Sequence, residues 1–492
     1  MSDRLNADTL SDLAEGIQRP AYDRGAITTG VVHLGVGAFH RAHQAVYTDD
    51  VLARDPHWGI VAASLRSPDT YDALQPQDGL YTLSVRSQDG EALRVIGSIM
   101  RVIVAPRETE DLLDVMSDPQ TRIVTLTVTE KGYCHDPATG ALNEAHPDIV
   151  HDLAYSMNPK SAPGFIVEAL RRRRMNGVPP FTVLTCDNLP SNGRTVKRVL
   201  THLAELVDPE LGRFVADEVS CPSTMVDRIV PATSDQDRER IAEALGVTDA
   251  WPVVTEPFTQ WVIEDRFPQG RPAWELAGAE FVSDVEPYEH MKLRLLNGSH
   301  STLAYLGYLA GYETVADTMA DEAFVRLIRG LMDDEVTPTL HMPAGADLES
   351  YKSALIERFK NPALKHRTWQ IAMDGSQKLP QRLLGTIRDR LSVSAPIRRL
   401  SLGVAAWMRY VAGTDENGTA IDVRDPMADR LQEIASKAEG STEVLARGLF
   451  AIREIFGDDL PADPRFTSEV VAHLTRLYEL GAKRAVSELK VG

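Results

Sequence analysis

A β-rich run that breaks at Gly-x-Gly and passes straight into a helical pattern limits this 492-residue chain more than any other stretch. It reads Gly30-Val31-Val32-His33-Leu34-Gly35-Val36-Gly37-Ala38-Phe39-His40-Arg41-Ala42-His43, with helical spacing continuing to about Leu52. A tight turn between a strand and a helix N-terminus lets backbone N–H groups approach a pyrophosphate. A second strand, residues 59–65, follows the helix, as a βαβ unit requires. Gly35 and Gly37, with Phe39 and His40 behind them, are therefore cofactor-binding candidates; His40 stands where the usual fingerprint has its third glycine. The competing reading is a plain strand–helix turn.

The second strand runs into Arg66-Ser67-Pro68-Asp69. An acid at this point suits the ribose hydroxyls of NAD, so Asp69 favours NAD, while Arg66 keeps a 2′-phosphate open. Ser67, Pro68 and Asp69 also make an ordinary helix start. Strand–helix alternation continues through residues 123–129 and 181–186. Ligand crevices of open α/β sheets lie at the carboxyl ends of strands, which makes Thr129, Glu130, Asp187 and Asn188 candidates by position; for Asp187 a simple turn-forming role is preferred. Asp227 and Arg228, between apolar neighbours, are either a structural pair or order the cofactor side of a cleft. Residues 166–176 read as a helix whose arginines are solvated, and residues 1–29 as a polar arm with a short helix at 10–17.

A chain this long needs two or three cores. The break at 283–287 divides it into a Rossmann-type doubly wound α/β domain, 1–285, and a mainly α-helical domain, 286–492. Helical periodicity in the second part covers 303–309, 321–332, 355–359, 397–412, 430–438 and 470–490.

The second domain opens with Glu289-His290-Met291-Lys292-Leu293-Arg294-Leu295-Leu296-Asn297-Gly298-Ser299-His300. Read as an α-helix at about 100° per residue, Asn297 lies about 140° round from Lys292 and His300 about 80°. A lysine that moves a proton, an amide that steadies a developing alkoxide and an imidazole that holds a hydroxyl then share one arc. Glu289, one turn before the lysine, is positioned to couple to it. The bland alternative is the polar face of an amphipathic helix.

The formal charge of −19 argues against nucleic acid as a general partner. No apolar run reaches membrane-spanning length, and the N-terminus lacks a secretory core, so a cytoplasmic location is expected. Cys134, Cys186 and Cys221 are scattered and no His-Glu-x-x-His occurs, so no metal site is expected.

Three separated motifs together resemble the long-chain mannitol dehydrogenase family: Lys292-x4-Asn297-x2-His300, Val226-Asp227-Arg228-Ile229, and the Gly-x-Gly-x-Phe-His-x-x-His segment. The resemblance runs from about Gly30 to the C-terminus. It implies a zinc-independent, NAD(H)-using polyol or hexuronate oxidoreductase with its active site between two domains. It also implies Lys292 as general acid/base, Asn188 and Asn297 as an oxyanion hole, His300 as substrate ligand and Glu289 as a proton gate. An ionised Glu289 would oppose the lowered lysine pKa that oxidation requires. Asp69 matches the family's NAD-selecting acid, although Pro68 replaces a second acid often found before it. Residues 129–135 and 366–382 look closer to the fructuronate reductase (mannonate oxidoreductase) branch than to mannitol 2-dehydrogenases, which often carry an arginine where Gln370 stands. A carboxylate substrate needs a cation, and Arg367, Lys378, Arg382 and Lys131 are the candidates. The expected partner is a small sugar acid or polyol and the expected state a monomer or small homo-oligomer. Another polyol or hexuronate dehydrogenase activity, or a catalytically silent nucleotide sensor, are the alternatives.

Overall fold

The computed structural model describes residues 3–136, 139–343 and 345–489. By contact the chain divides into two units, Met1–Glu286 and Pro287–Gly492.

The first unit is built on a five-stranded parallel sheet: β1 (Thr29–Leu34), β2 (Gly59–Ser64), β3 (Ile99–Val104), β4 (Ile123–Leu126) and β5 (Thr182–Thr185). They lie in the order β3-β2-β1-β4-β5, the order of a dinucleotide-binding half-sheet. The register pairs Val32 with Val61 on one side and with Val124 on the other. Strand residues alternate between two separate cores, which is why both faces read as apolar: Val32, Leu34, Val61 and Ala63 enter one, Val31, Ile60 and Ala62 the other. Thr224–Asp227 and Gln260–Glu264 form an antiparallel pair, with Glu280–Val282 parallel to the latter.

Four local readings change. The helix after Gly37 is broken at His43 into Ala38–Ala42 and Gln44–Leu52, where His43 Nε2 meets the carbonyl of Gln260 at 3.0 Å. In place of a helix at 10–17 the N-terminal arm holds two 3₁₀ turns, Leu10–Asp12 and Arg24–Ala26, and is held down by Leu5 and Leu13, which are buried with Leu80, Ile241 and Leu245. The strand expected over 123–129 stops at Leu126, and a helical turn occupies Thr129–Gly132. Finally, the helix Ala162–Met175 does not leave all its arginines in water. Arg173 is fully buried and donates to the carbonyls of Met116, Asp118, Thr121 and Pro179, closing off loop ends that have no ladder partner.

The second unit is helical. Gly298–Leu309 is buried along nearly its whole length, so it shows no amphipathic stripe; it packs on Arg398–Val411, which packs in turn on Pro464–Leu480. A Cβ at Gly403 would come within 2.8 Å of Thr302 Oγ1, so glycine permits the close helix crossing. The last long helical reading, 470–490, resolves into Pro464–Leu480 and Ala482–Ser487, with Lys490 outside the described residues. Among the described residues three segments are π-helical: Lys292–Asn297, Leu331–Val336 and Pro380–Leu384. Among the described residues no helix is long and apolar enough to cross a membrane.

Candidate active site

The carboxyl ends of β1, β2 and β4 open onto a cavity of about 310 Å³. Gly35, Val36 and Gly37 line it from β1, Arg66, Ser67 and Thr70 from the segment after β2, and Thr127, Val128 and Thr129 from the segment after β4. Gly35 has φ +94°, and a Cβ there would sit 2.2 Å from the carbonyl oxygen of Thr127. The turn is possible only with glycine. Gly37 is different: its Cβ would meet nothing nearer than the Gly35 carbonyl at 3.9 Å, which leaves its exposed backbone open toward a ligand.

Beneath this turn lies a residue that sequence reasoning passed over. His33 is fully buried on β1, with Nδ1 2.7 Å from Thr125 Oγ1 and Nε2 3.1 Å from the Gly35 carbonyl. A carbonyl only accepts, so Nε2 carries the proton and Nδ1 accepts from Thr125. Burial drives the His33 pKa down to about 3, which keeps this tautomer neutral. Thr127 Oγ1 donates to the same Gly35 oxygen at 2.6 Å. His40 stacks on His33 with ring centroids 3.4 Å apart and is likewise pushed far below its ordinary value by burial. His40 therefore packs under the turn and does not line the cavity. Phe39 stacks on His43 at 4.9 Å. The signal for His33 was present: a histidine flanked by Val32 and Leu34 in a doubly buried strand has to be satisfied internally.

Asp69 is exposed at the start of the helix Asp69–Leu74, and its N–H donates to Ser67 Oγ at 3.1 Å. Arg66, also exposed, lines the cavity.

Asp187 does more than make a turn. Its carboxylate accepts from the N–H groups of Val128 and Thr129 at 2.8 and 3.2 Å and from the Tyr133 hydroxyl at 2.7 Å. Thr129 has φ +62°, an uncommon conformation for a β-branched residue, costing about 1–2 kcal/mol. Asp187 thus ties down a strained segment that lines the cavity. Asn188, next along, is exposed. Glu130 and Lys131 are exposed on the helical turn Thr129–Gly132. Asp227 is buried at the end of its strand; Arg228 donates to the carbonyls of Ala42 and Glu256 and is lowered to about 10 by burial.

Cys134, His146 and Asp148 hold donor atoms within 4.8 Å of one another beside this cavity. His146 Nδ1 already accepts from the Asp148 N–H, and burial, with Asp148 next, pushes the Cys134 thiol up to about 12. A protonated thiol is a poor metal ligand.

In the second unit the Lys292–Asn297 segment is π-helical, and the Gly298 N–H donates to Leu293, five residues back. Such a segment completes a turn in roughly 4.4 residues instead of 3.6. Asn297 then lies about 50° round from Lys292, and His300, three α-helical residues further, falls within about 10° of the lysine. The arc holding the three side chains narrows from about 140° to about 60°. Lys292 and Asn297 are half-buried, and so is Glu289. His300 is buried, 4.7 Å from the Phe359 ring and 5.1 Å from His366. Burial, His366 and the cations Arg358 and Arg382 hold it far below its ordinary pKa, so it is neutral at pH 7.

The four candidate cations separate. Arg367 is exposed, 3.7 Å from Glu313, and Lys131 is exposed in the other unit. Lys378 is partly buried and donates to the Met373 carbonyl at 2.6 Å. Arg382 is partly buried, with Nη1 3.1 Å from Ser301 Oγ.

Comparison with known proteins agrees along the whole length. The mannitol dehydrogenase Rossmann domain matches residues 29–276, and the mannitol dehydrogenase C-terminal domain residues 284–478. The chain is 49% identical to the D-mannonate oxidoreductase of Escherichia coli K12, over 98% of this chain and 100% of that one. It is also 49% identical to the uncharacterized oxidoreductase YeiQ of the same organism, over 98% and 99% of the two chains. The structure of Pseudomonas fluorescens mannitol 2-dehydrogenase in ternary complex with NAD and D-mannitol superposes with a TM-score of 0.85 at 42% identity, covering 99% of each chain. With both domain models matched and half the residues shared over nearly its full length, this chain belongs to the mannitol dehydrogenase family of oxidoreductases.

Proposed function

We propose that the chain is an NAD-dependent secondary-alcohol dehydrogenase that interconverts D-fructuronate and D-mannonate, with Lys292 as general acid/base. The observation that carries this reading is the π-helical turn, which draws Lys292, Asn297 and His300 into one narrow arc. The fit to NAD rests on the cavity at the strand ends, on the side-chain-free approach at Gly37 and on a volume typical of small-molecule sites. Relatives add support: a D-mannonate oxidoreductase shares half the residues, and a mannitol 2-dehydrogenase was solved with NAD.

Bound NAD(H) supplies the hydride, or accepts it in the reverse direction. Gly35, Gly37 and Arg66 would hold the cofactor's phosphates and Thr129 would contribute to its pocket; Asp69, next to the lining residue Thr70, would take the adenosine ribose hydroxyls. Asp227 supports the cofactor side. Phe39 and His40 act through packing. In reduction the Lys292 ammonium gives its proton to the ketone oxygen, and in oxidation the neutral amine takes it back. The amides of Asn297 and Asn188 donate to that oxygen as it becomes negative, each worth about 2.7–4 kcal/mol in comparable sites. Neutral His300 orients a substrate hydroxyl, and Glu289 passes the proton onward. Lys378 and Arg382 are assigned to the substrate.

The test is turnover with NADH and NADPH on fructuronate, tagaturonate and fructose. Fructuronate with NADH is expected to lead; a clear preference for fructose replaces the reading with mannitol 2-dehydrogenase, and silence across the panel with a nucleotide sensor. Lys292→Ala should lower kcat by about 10²–10⁴-fold with NADH affinity unchanged, and equal loss of cofactor binding overturns the acid/base role.

A further inference from the structure

Two of the three π-helical segments, Lys292–Asn297 and Pro380–Leu384, pack against each other. A Cβ on Gly298 would lie 2.8 Å from the Arg382 carbonyl, so the second segment sits directly on the first where it gives way to the helix carrying His300. Segments of this kind concentrate at functional sites. The first carries Lys292 and Asn297. The second carries Arg382, whose guanidinium reaches Ser301 Oγ, beside His300.

That guanidinium is unusual in its company. Among the described residues Ser301 is its one hydrogen-bond partner and no carboxylate pairs with it. Other enclosed arginines are compensated: Arg173 by four carbonyls, Arg94 by Asp49 and Asp50. A charge nearby repels it. The cation is Lys378, whose own pKa the guanidinium of Arg382 lowers after burial. Lys378 has Asp374 at 3.9 Å, while Asp425 is engaged by the N–H and hydroxyl of Ser376. His300 and His366 are neutral, the latter lowered to about 4 by burial and by Arg358 and Lys378. An enclosed cation with one neutral partner and a cationic neighbour is costly to keep. A bound anion removes that cost.

We propose that Arg382 forms the receptor for the substrate's carboxylate and is the residue that selects sugar acids over neutral sugars. The receptor rests on the dehydrogenase reading above, and it excludes exposed Arg367 and Lys131 from the role. A guanidinium holds a carboxylate through two parallel hydrogen bonds, which an ammonium cannot match. The carboxylate is at the far end of a hexuronate's carbon chain from the reacting ketone, so its capture orients the whole substrate.

The experiment compares wild type, Arg382→Met and Arg382→Lys on fructuronate and fructose with NADH. For Arg382→Met the ratio of kcat/KM for fructuronate to that for fructose should fall 100-fold or more, mainly through KM for the acid, and Arg382→Lys should recover only a small part. Equal losses on both substrates, or full recovery by lysine, overturn the proposal. If the wild type reduces fructose and no hexuronate, the function reading fails while the receptor stays testable. D-Mannonate should then inhibit fructose reduction at least tenfold more strongly than D-mannitol in the wild type. Equal inhibition by acid and alcohol sinks the receptor, and this comparison needs no variant that folds.

Discussion

The two glycines of the β1 turn should respond differently to one added methyl group, and the difference separates a folding constraint from a ligand constraint. At Gly35 the backbone is left-handed and a Cβ would lie 2.2 Å from the Thr127 carbonyl oxygen. Gly35→Ala incurs about 1–2 kcal/mol for the conformation and roughly 1–3 kcal/mol for overpacking, so about 2–5 kcal/mol in all. For a unit of this size that is a Tm lower by roughly 5–15 °C, with NADH binding lost as the turn moves. At Gly37 the first protein atom is 3.9 Å away and φ is −82°, so Gly37→Ala should leave Tm within about 2 °C. A methyl group there occupies the ligand's approach, and NADH should bind at least tenfold more weakly. The assay is NADH titration by fluorescence beside a thermal melt for each variant. Gly37→Ala with wild-type NADH affinity would refute the placement of the cofactor on this turn. Gly35→Ala with wild-type Tm would refute the steric argument.

Two further predictions concern stability. Arg173→Met takes a donor from four carbonyls, of which that of Asp118 keeps the Thr121 N–H, and should cost about 3–5 kcal/mol, read as a lower Tm, while KM for substrate and cofactor is unchanged; a shift in KM would give the arginine a role beyond structure. His33 at about 3 and His366 at about 4, with His40 and His300 also lowered, take up protons in the unfolded chain near 6.5 but not in the folded one. Stability therefore declines as pH falls from about 6.5 toward 4, by up to about 1.4 kcal/mol per pH unit for each site. Urea unfolding at pH 7 and pH 5 at fixed ionic strength should show an earlier midpoint at pH 5, and coincident midpoints would refute the buried neutral histidines.

The βαβ pattern around Gly35 was legible because strand period, turn glycines and helix period are local signals, and they specify the sheet that the structure shows. What the sequence hid depends on partners distant in the chain. Asp187 reads as a turn former beside Pro190, and only the fold brings Val128, Thr129 and Tyr133 to its carboxylate. Arg173 looks in sequence like its neighbours Arg171 and Arg172, which pair with Glu168, until the chain at Met116–Thr121 arrives to receive it. His40 fills a fingerprint position by sequence and a packing position in space, since its ring stacks on His33 across the turn.

The spacing Lys292-x4-Asn297 shows the same limit from the other side. In an α-helix residues five apart diverge by about 140°, and a side-chain pair at that offset could not serve one oxygen atom. Residues four apart would converge, and an α-helical reading therefore marks this pair as one residue too long. The π-helical turn absorbs the extra residue by closing its hydrogen bonds over five positions, so that an i, i+5 pair does what an i, i+4 pair does elsewhere. Inserted turns are less stable than the helix around them and persist where something else holds them. Here the backbone of Arg382 sits against Gly298, where a side chain of any size would force the two turns apart. Convergence of the proposed proton donor with its amide, and enclosure of the proposed carboxylate receptor, thus depend on one contact that only glycine permits.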